Sequence, residues 1–298
     1  MSDVNTSWMD AMRRGDFAAA WEISDAILRT RGVQDQEHLP RWFQSIWDGS
    51  SVAGKRVLVR CYHGLGDTIQ FIRYAPSLKQ VAAEVIVWTQ PSLIPLLRTA
   101  RGIDQLLPLH NGAPEVEYDV DLELGELPYV FRTTMANIPA EIPYLFVEPA
   151  LLPSNGRLRV GLIWESGDWN RSRSVPFSEI KRFADVPGVE WHILQREPFR
   201  AGWDGALGVI SGGDNPLDDA RVIRALDLVI SADTMTAHLA GALGQKVWTL
   251  LPFDADWRWL QHRSDSPWYP TMRLFRQKEE GSWGEVIDEV MCYFLARR

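Results

Sequence analysis

The feature that most constrains this chain is one alternation that occurs twice. Between residues 56 and 109, the short apolar runs "RVLVRC", "AEVIVWT" and "IDQLLPL" are separated by the helical stretches "GDTIQFIRYAPSLKQVA" and "PSLIPLLRTA". Between residues 158 and 252, "LRVGLIWE", "VEWHILQ", "LDLVIS" and "KVWTLLP" alternate with "FSEIKRFADV", "DDARVIRAL" and "TMTAHLAGAL". Short apolar strands joined through helices form parallel sheets with right-handed crossovers and helices on their faces. The pattern predicts an α/β chain with two Rossmann-like domains facing a crevice. Ligands of such sheets sit beyond the carboxyl ends of the strands. Two domains also suit a length of 298 residues.

Before the first series, residues 7–30 read as two short helices broken at Gly15. The segment "GDFAAAWEISDAIL" looks like one helix pair of a tetratricopeptide array. A lone pair cannot bury its own face, so it is expected to pack on the neighbouring domain or to continue a truncated array. The expected division is a helical extension at 1–50, a first domain at 51–152, a linker near 150–157 ("ALLPSNGR") and a second domain at 157–282. Pro76 is expected to kink the first long helix.

Composition narrows the function. A net charge of −8 argues against a nucleic-acid footprint, which needs clustered Lys and Arg. The two cysteines, Cys61 and Cys292, lie too far apart in sequence to suggest a disulfide framework or a zinc spacing. "MSDVNTSWMD" lacks a leader pattern, and no run reaches the ~18 apolar residues of a membrane helix. The cytoplasm is therefore the expected compartment.

Two stretches can carry chemistry. In "GLGD", Gly64 and Gly66 allow a tight turn and close approach of a ligand, and Asp67 stands where a helix begins. Asp67 reads either as a helix cap or as a general base. In "LDLVISADTMTAHLAGALG", a buried strand runs into a helix whose first amides could hold a diphosphate. Asp233, Thr234, Met235, Thr236 and His238 are the candidates there, against a plain capped αβ unit with a hydrogen-bonded histidine. Arg171 and Arg173, in the loop "WESGDWNRSRSVP", could clamp phosphate oxygens, and Gln195 could read a ribose or base. The aromatic segment 251–277 reads as packing between the domains or as a sugar cleft. Its "DAD" triplet at 254–256 is expected to lie away from the diphosphate site.

The stretches "GLGDTIQFIRYAPSL", "ISADTMTAHLAGALGQKVWTLLPF" and "DWRWLQHRSDSPWYPTMRLFRQ" together resemble the GT-B glycosyltransferases of the ADP-heptose heptosyltransferase type (glycosyltransferase family 9). They are most similar to the tetratricopeptide-linked bacterial proteins of that group. The resemblance covers residues ~50–298. It implies sugar transfer from a nucleotide-diphosphate donor to a hydroxyl of a surface polysaccharide or protein, without a metal ion or other cofactor. It implies Asp67 as the base and the 233–238 helix start as the donor site. It also implies that the last helix, 283–298, crosses back to the first domain. The lysine that heptosyltransferases commonly place after the first strand of the second domain has no counterpart here, so Arg171 or Arg173 would stand in. Two other readings are a catalytically silent sugar-nucleotide or glycan-binding module and a GT-B-like sugar-nucleotide epimerase.

Overall fold

The computed structural model describes residues 2–31, 39–41, 44–153, 156–168, 170–213 and 215–296. The chain divides into two units, residues 1–145 and 146–298. The division precedes the expected linker, of which residues 154 and 155 lie outside the described residues, as do 297 and 298 of the last helix.

The first unit opens with α1 (Ser2–Arg14) and α2 (Phe17–Arg31), separated at Gly15, whose φ of +77° favours glycine. A four-stranded sheet follows, ordered β3 (Gln105–Pro108), β2 (Glu84–Thr89), β1 (Arg56–Arg60), β4 (Val120–Glu123), with every pair parallel. Val57, Leu58 and Val59 pair with Val85, Ile86 and Val87, so the two central strands are apolar on both faces and fully buried. The expected long helix is broken into α3 (Leu65–Phe71), a tight turn over Ile72–Tyr74 and α4 (Ala75–Val81), with Pro76 in the first turn of α4. Helical pieces α5 (Ile94–Leu97) and α6 (Leu127–Val130) complete the unit.

The N-terminal helix pair is built into this core. The Trp21 indole N–H donates to the Thr133 carbonyl at 2.6 Å. Arg132 donates to both Asp25 oxygens, at 2.6 and 3.0 Å, and the Tyr129 hydroxyl donates to Asp25 at 2.6 Å. Those bonds, from Arg132 first and then Tyr129, hold the Asp25 carboxyl below the usual range. The Tyr129 ring also packs against Trp21 and Trp47, at 5.6 and 5.4 Å.

The second unit holds a six-stranded parallel sheet. Its order is β10 (Met272–Arg276), β9 (Val247–Leu251), β8 (Leu228–Ala232), β5 (Leu158–Ile163), β6 (Val189–Ile193), β7 (Val209–Ile210). Helices α7 (Phe177–Ile180), α8 (Pro216–Arg224), α9 (Met235–Ala242) and α10 (Trp283–Leu295) surround it. β4 and β10 fall in stretches whose sequence does not announce strands.

The last helix, α10, packs within the second unit. Trp283, Val286, Ile287, Val290 and Phe294 recur at helical spacing and join Trp191, Leu250 and Phe275 in one buried cluster. Between β5 and β6 the helical pieces are short, α7 and the tight turns over Arg171–Arg173 and Lys181–Asp185, which leaves room on that face of the sheet for α10. Burial of each such side chain contributes about 1.5–3 kcal/mol. Arg182 fastens the helix from outside, through a contact with Asp288 and a 3.4 Å bond to the Gly284 carbonyl.

Candidate functional site

Charged and polar groups gather at the carboxyl edge of each sheet. In the first unit β1 ends at Arg60, and Cys61 turns the chain into the loop that carries the two glycines. Gln90, just past β2, pins that loop: its Nε2 donates to the carbonyls of Cys61 (3.2 Å) and His63 (2.7 Å). Its Oε1 accepts from the Thr68 hydroxyl at 3.1 Å. Gly64, in extended conformation, is the N-cap of α3, which places Asp67 in the first turn rather than at the helix start. The Gly64 N–H donates to Asp67 Oδ2 at 3.0 Å. Asp67 thus works as the third-position acid of a capping box, and its charge also suits the positive end of the helix. A carboxylate has further lone pairs, so the cap leaves it able to accept a proton.

Next to this loop lies Glu123, at the end of β4 and only 3 % exposed. Its Oε1 sits 2.8 Å from His63 Nδ1 and accepts the Tyr62 N–H at 3.3 Å, while Oε2 accepts the Gly125 N–H at 2.5 Å. Burial, with the Glu123 charge behind it, pushes the Cys61 thiol up to about 12, so Cys61 stays protonated and is no nucleophile.

The second edge centres on Asp233, which follows β8 and is 3 % exposed. Thr234 caps α9, its hydroxyl accepting the Thr236 N–H at 3.3 Å and lying 3.1 Å from Ser231 Oγ. Met235 and Thr236 form the first turn. Arg173 Nη1 lies 3.9 Å from Asp233 Oδ2. Burial raises the Asp233 carboxyl above its ordinary value, the charges of Arg258 and Arg173 pull it down, and Asp256 adds to the rise. Arg258 Nε donates to Asp256 at 2.8 Å, and Asp256 also caps the turn over Trp257–Trp259. Arg276, pushed down by burial and supported by Asp233, donates to the carbonyls of Trp259 and Leu260 at 3.3 and 2.7 Å. Three guanidinium groups therefore act on one buried carboxylate beside a helix N-terminus.

His238 takes another place. It is 3 % exposed, its Nδ1 lies 3.0 Å from the Tyr269 hydroxyl, and its ring stacks on Trp259 at 5.1 Å. Gly241 explains how Tyr269 fits: a Cβ there would meet the Tyr269 ring at 2.4 Å. The aromatic segment thus packs on α9 inside the second unit, where an inter-domain packing was expected.

The sequence candidates separate. Asp233, Thr234, Thr236 and Arg173 come together at one strand end. Arg171 pairs instead with Asp168 at 2.6 Å, on the exposed side of its loop. Gln195 Oε1 accepts the N–H groups of Trp164 and Glu165, at 3.2 and 2.9 Å, and so anchors the loop that carries Arg173. Gly64, Gly66 and Asp67 lie in the first unit. The "DAD" triplet is not remote, since Asp256 acts on Asp233. Sequence reasoning missed Glu123, His63, Arg258 and Arg276. The signals were faint: an acid closing the run "VDLE", and arginines inside "DWRWL" and "RLFRQ". Among the described residues, no helix is long and apolar enough to cross a membrane.

No family model matches the chain. Protein FlbA of Caulobacter vibrioides is 27% identical over 282 residues, which cover 82% of this chain and 47% of FlbA. The chain thus spans about half the length of that curated relative. Among solved structures, a glycosyl transferase of family 9 from Veillonella parvula superposes with a TM-score of 0.58 at 10% identity, over 80% of this chain and 91% of that one. The ADP-heptose heptosyltransferase II of E. coli gives 0.55 at 12% identity, over 81% and 99%. E. coli heptosyltransferase WaaC with ADP-2-deoxy-2-fluoro heptose gives 0.54 at 13% identity, over 82% and 100%. The chain shares the α/β fold of these GT-B glycosyltransferases.

Proposed function

We propose that this chain is a glycosyltransferase that moves a sugar from a nucleotide-diphosphate donor to a hydroxyl of a glycan or protein acceptor, without a metal ion. The observation that carries this reading is the cluster of Arg173, Arg258 and Arg276 around Asp233, at the N-terminus of α9. Three cations face two carboxylates, Asp233 and Asp256, so the edge keeps a positive excess beside amides that point away from the helix. Such a site suits a diphosphate, and it stabilises the charge that develops as the diphosphate leaves. The shared fold with heptosyltransferases supports the same reading, as does the fact that ligands of parallel sheets sit at carboxyl edges.

On the acceptor side, Gly64 and Gly66 let the hydroxyl approach the loop. The hydroxyl oxygen forms a bond to the anomeric carbon, the bond from that carbon to the diphosphate oxygen breaks, and Asp67 takes the hydroxyl proton. The cytoplasm, where sugar nucleotides are made, is the proposed place of work.

The test uses Asp67→Asn. The amide oxygen still accepts the Gly64 N–H, so the cap survives, but no proton can be taken. Nucleoside diphosphate released from a panel of sugar nucleotides plus acceptors is expected to fall at least ~100-fold, while the Tm drops by no more than the few degrees that ~0.3–1 kcal/mol of lost helix-end charge costs. Full turnover in Asp67→Asn would leave Asp67 as a cap only. The second reading, a catalytically silent sugar-nucleotide-binding module, draws on the cap contact of Asp67 and on the pairing of Arg171 with Asp168. Turnover of any donor excludes it.

A further inference from the structure

We propose that Arg276 is a positioning residue for the donor: it holds a strained turn at Leu260 and thereby fixes Arg258 at the Asp233 edge. The inference rests on the glycosyltransferase reading for its donor, and on a backbone feature of its own. Leu260 has φ +53° and ψ 175°, a region that only glycine enters without strain. Leu260 is also buried, so the conformation belongs to a packed residue. His262, two positions on, has a positive φ as well, +57°. Such a turn persists only where its surroundings fix it from several sides. Three contacts do so here. Asp256 caps the turn over Trp257–Trp259, its Oδ1 accepting the Arg258 N–H at 3.1 Å and Arg258 Nε at 2.8 Å. Trp259 is buried and stacks on His238 of α9. Arg276 closes the other end, where its Nη2 donates to the Trp259 and Leu260 carbonyls at 3.3 and 2.7 Å. Arg276 is itself anchored. It is the last residue of β10 and pairs with Leu251 of β9, and the next N–H, that of Gln277, donates to the Leu251 carbonyl at 3.0 Å. Strand end and turn are thus tied together, and the Arg258 side chain leaves from the middle of the turn. Arg276 commits Nη2 to the backbone and acts on the donor through the turn that presents Arg258.

Arg276→Lys tests this, because it keeps the charge and gives up the planar fork and part of the reach. Hydrogen exchange of the whole chain, without ligand, is the first measurement. The amides of Arg258, Trp259 and Leu260 are each hydrogen-bonded within the turn. They are expected to exchange at least ~10-fold faster in the variant, while those of α8 hold. An unchanged turn, or a rise that extends to α8, would overturn the proposal. Titration with ADP-, UDP- and GDP-linked sugars follows. Arg276→Lys is expected to weaken binding ~10-fold in the parent and less than ~2-fold in an Arg258→Ala background, where nothing is left to position. In an Arg173→Ala background, whose loop is separate from the turn, the full ~10-fold loss is expected. Equal losses in both backgrounds would make Arg276 a direct contact and overturn the positioning role. A loosened turn in a protein whose parent binds no donor sinks the glycosyltransferase reading and spares the hold of Arg276 on the turn. Donor binding with equal losses in both backgrounds does the reverse.

Discussion

The Arg173 guanidinium stands 3.9 Å from the Asp233 carboxylate, a residue buried at the start of α9. The two side chains come from loops at the carboxyl ends of neighbouring strands, β5 and β8. The separation is longer than a hydrogen bond, so the pair is coupled by charge rather than locked. A guanidinium held this way can turn toward a phosphate without breaking a tight ion pair.

That arrangement costs stability. The folded Asp233 carboxyl titrates above the ordinary value of ~3.9, chiefly through burial. A folded value raised in this way means that stability is lost as pH rises through it. Asp233→Asn removes the buried charge. The variant is expected to melt ~2–4 °C higher at pH 7, the shift made by ~1 kcal/mol in domains of this size, with the gain vanishing below pH ~4. Sugar-nucleotide binding is expected to hold or tighten in the same variant, because the positive excess facing the diphosphate grows. Thermal melts across pH, with and without a sugar nucleotide, check both halves. A lower Tm at pH 7 contradicts the burial account.

The arginines are expected to separate in the same way as their contacts. Arg173→Ala and Arg258→Ala each remove a charge-assisted contact worth ~1.5–3 kcal/mol, and so are expected to weaken donor binding ~10–100-fold. Arg171→Ala should change it little, because that side chain pairs with Asp168 on the exposed face. Calorimetric titration of the three variants decides this. Equal losses for Arg171 and Arg173 would mean that the loop closes on the donor in a different conformation.

Much of the fold was legible because apolar β-branched runs and helical periods state their structure locally. "RVLVR" and "LVISA" are such runs, and both are strands at the centre of a sheet. β4 and β10 were not legible. "VDLE" is short and acidic, and "MRLFR" lies in a stretch dominated by tryptophan and arginine, so pairing partners rather than local pattern make them strands. The same holds at the sites. Asp67 and Asp233 sit beside motifs, whereas Glu123 and Arg258 become visible only when the chain brings distant segments together. His238 was legible as a residue of that helix, but its burial against Trp259 and Tyr269 depended on residues 21 and 31 positions away.

Packing on α9 offers a stability test. Gly241→Ala places a methyl group 2.4 Å from the Tyr269 ring and is expected to cost about 1–3 kcal/mol. Tyr269→Phe removes only the hydroxyl that meets His238 Nδ1 and is expected to cost ~1 kcal/mol. Denaturant unfolding of both variants reads the order. A Gly241→Ala protein as stable as the parent would show that Tyr269 has room to move.

Acid stability should report on His192. It is 3 % exposed, Nδ1 meets Ser211 Oγ at 2.8 Å, and Nε2 is buried with no hydrogen-bond partner. Burial lowers its folded value below the ordinary ~6.5. The unfolded chain then binds the proton first, so stability is complete above pH ~6.5 and declines as pH falls toward the folded value. His192→Gln is expected to flatten that acid limb in unfolding measured between pH 7 and 5. An unchanged limb would assign it to carboxylates instead.

The central claim is that the edge at Asp233 holds a nucleotide-diphosphate sugar. Isothermal titration of the intact protein with ADP-, UDP-, GDP- and CMP-linked sugars tests it most directly, in parallel with Arg258→Ala. The account predicts saturable binding of at least one diphosphate-linked sugar, weakened ~10–100-fold in the variant. No binding of any member of the panel by a well-folded sample, or binding indifferent to Arg258→Ala, would contradict it.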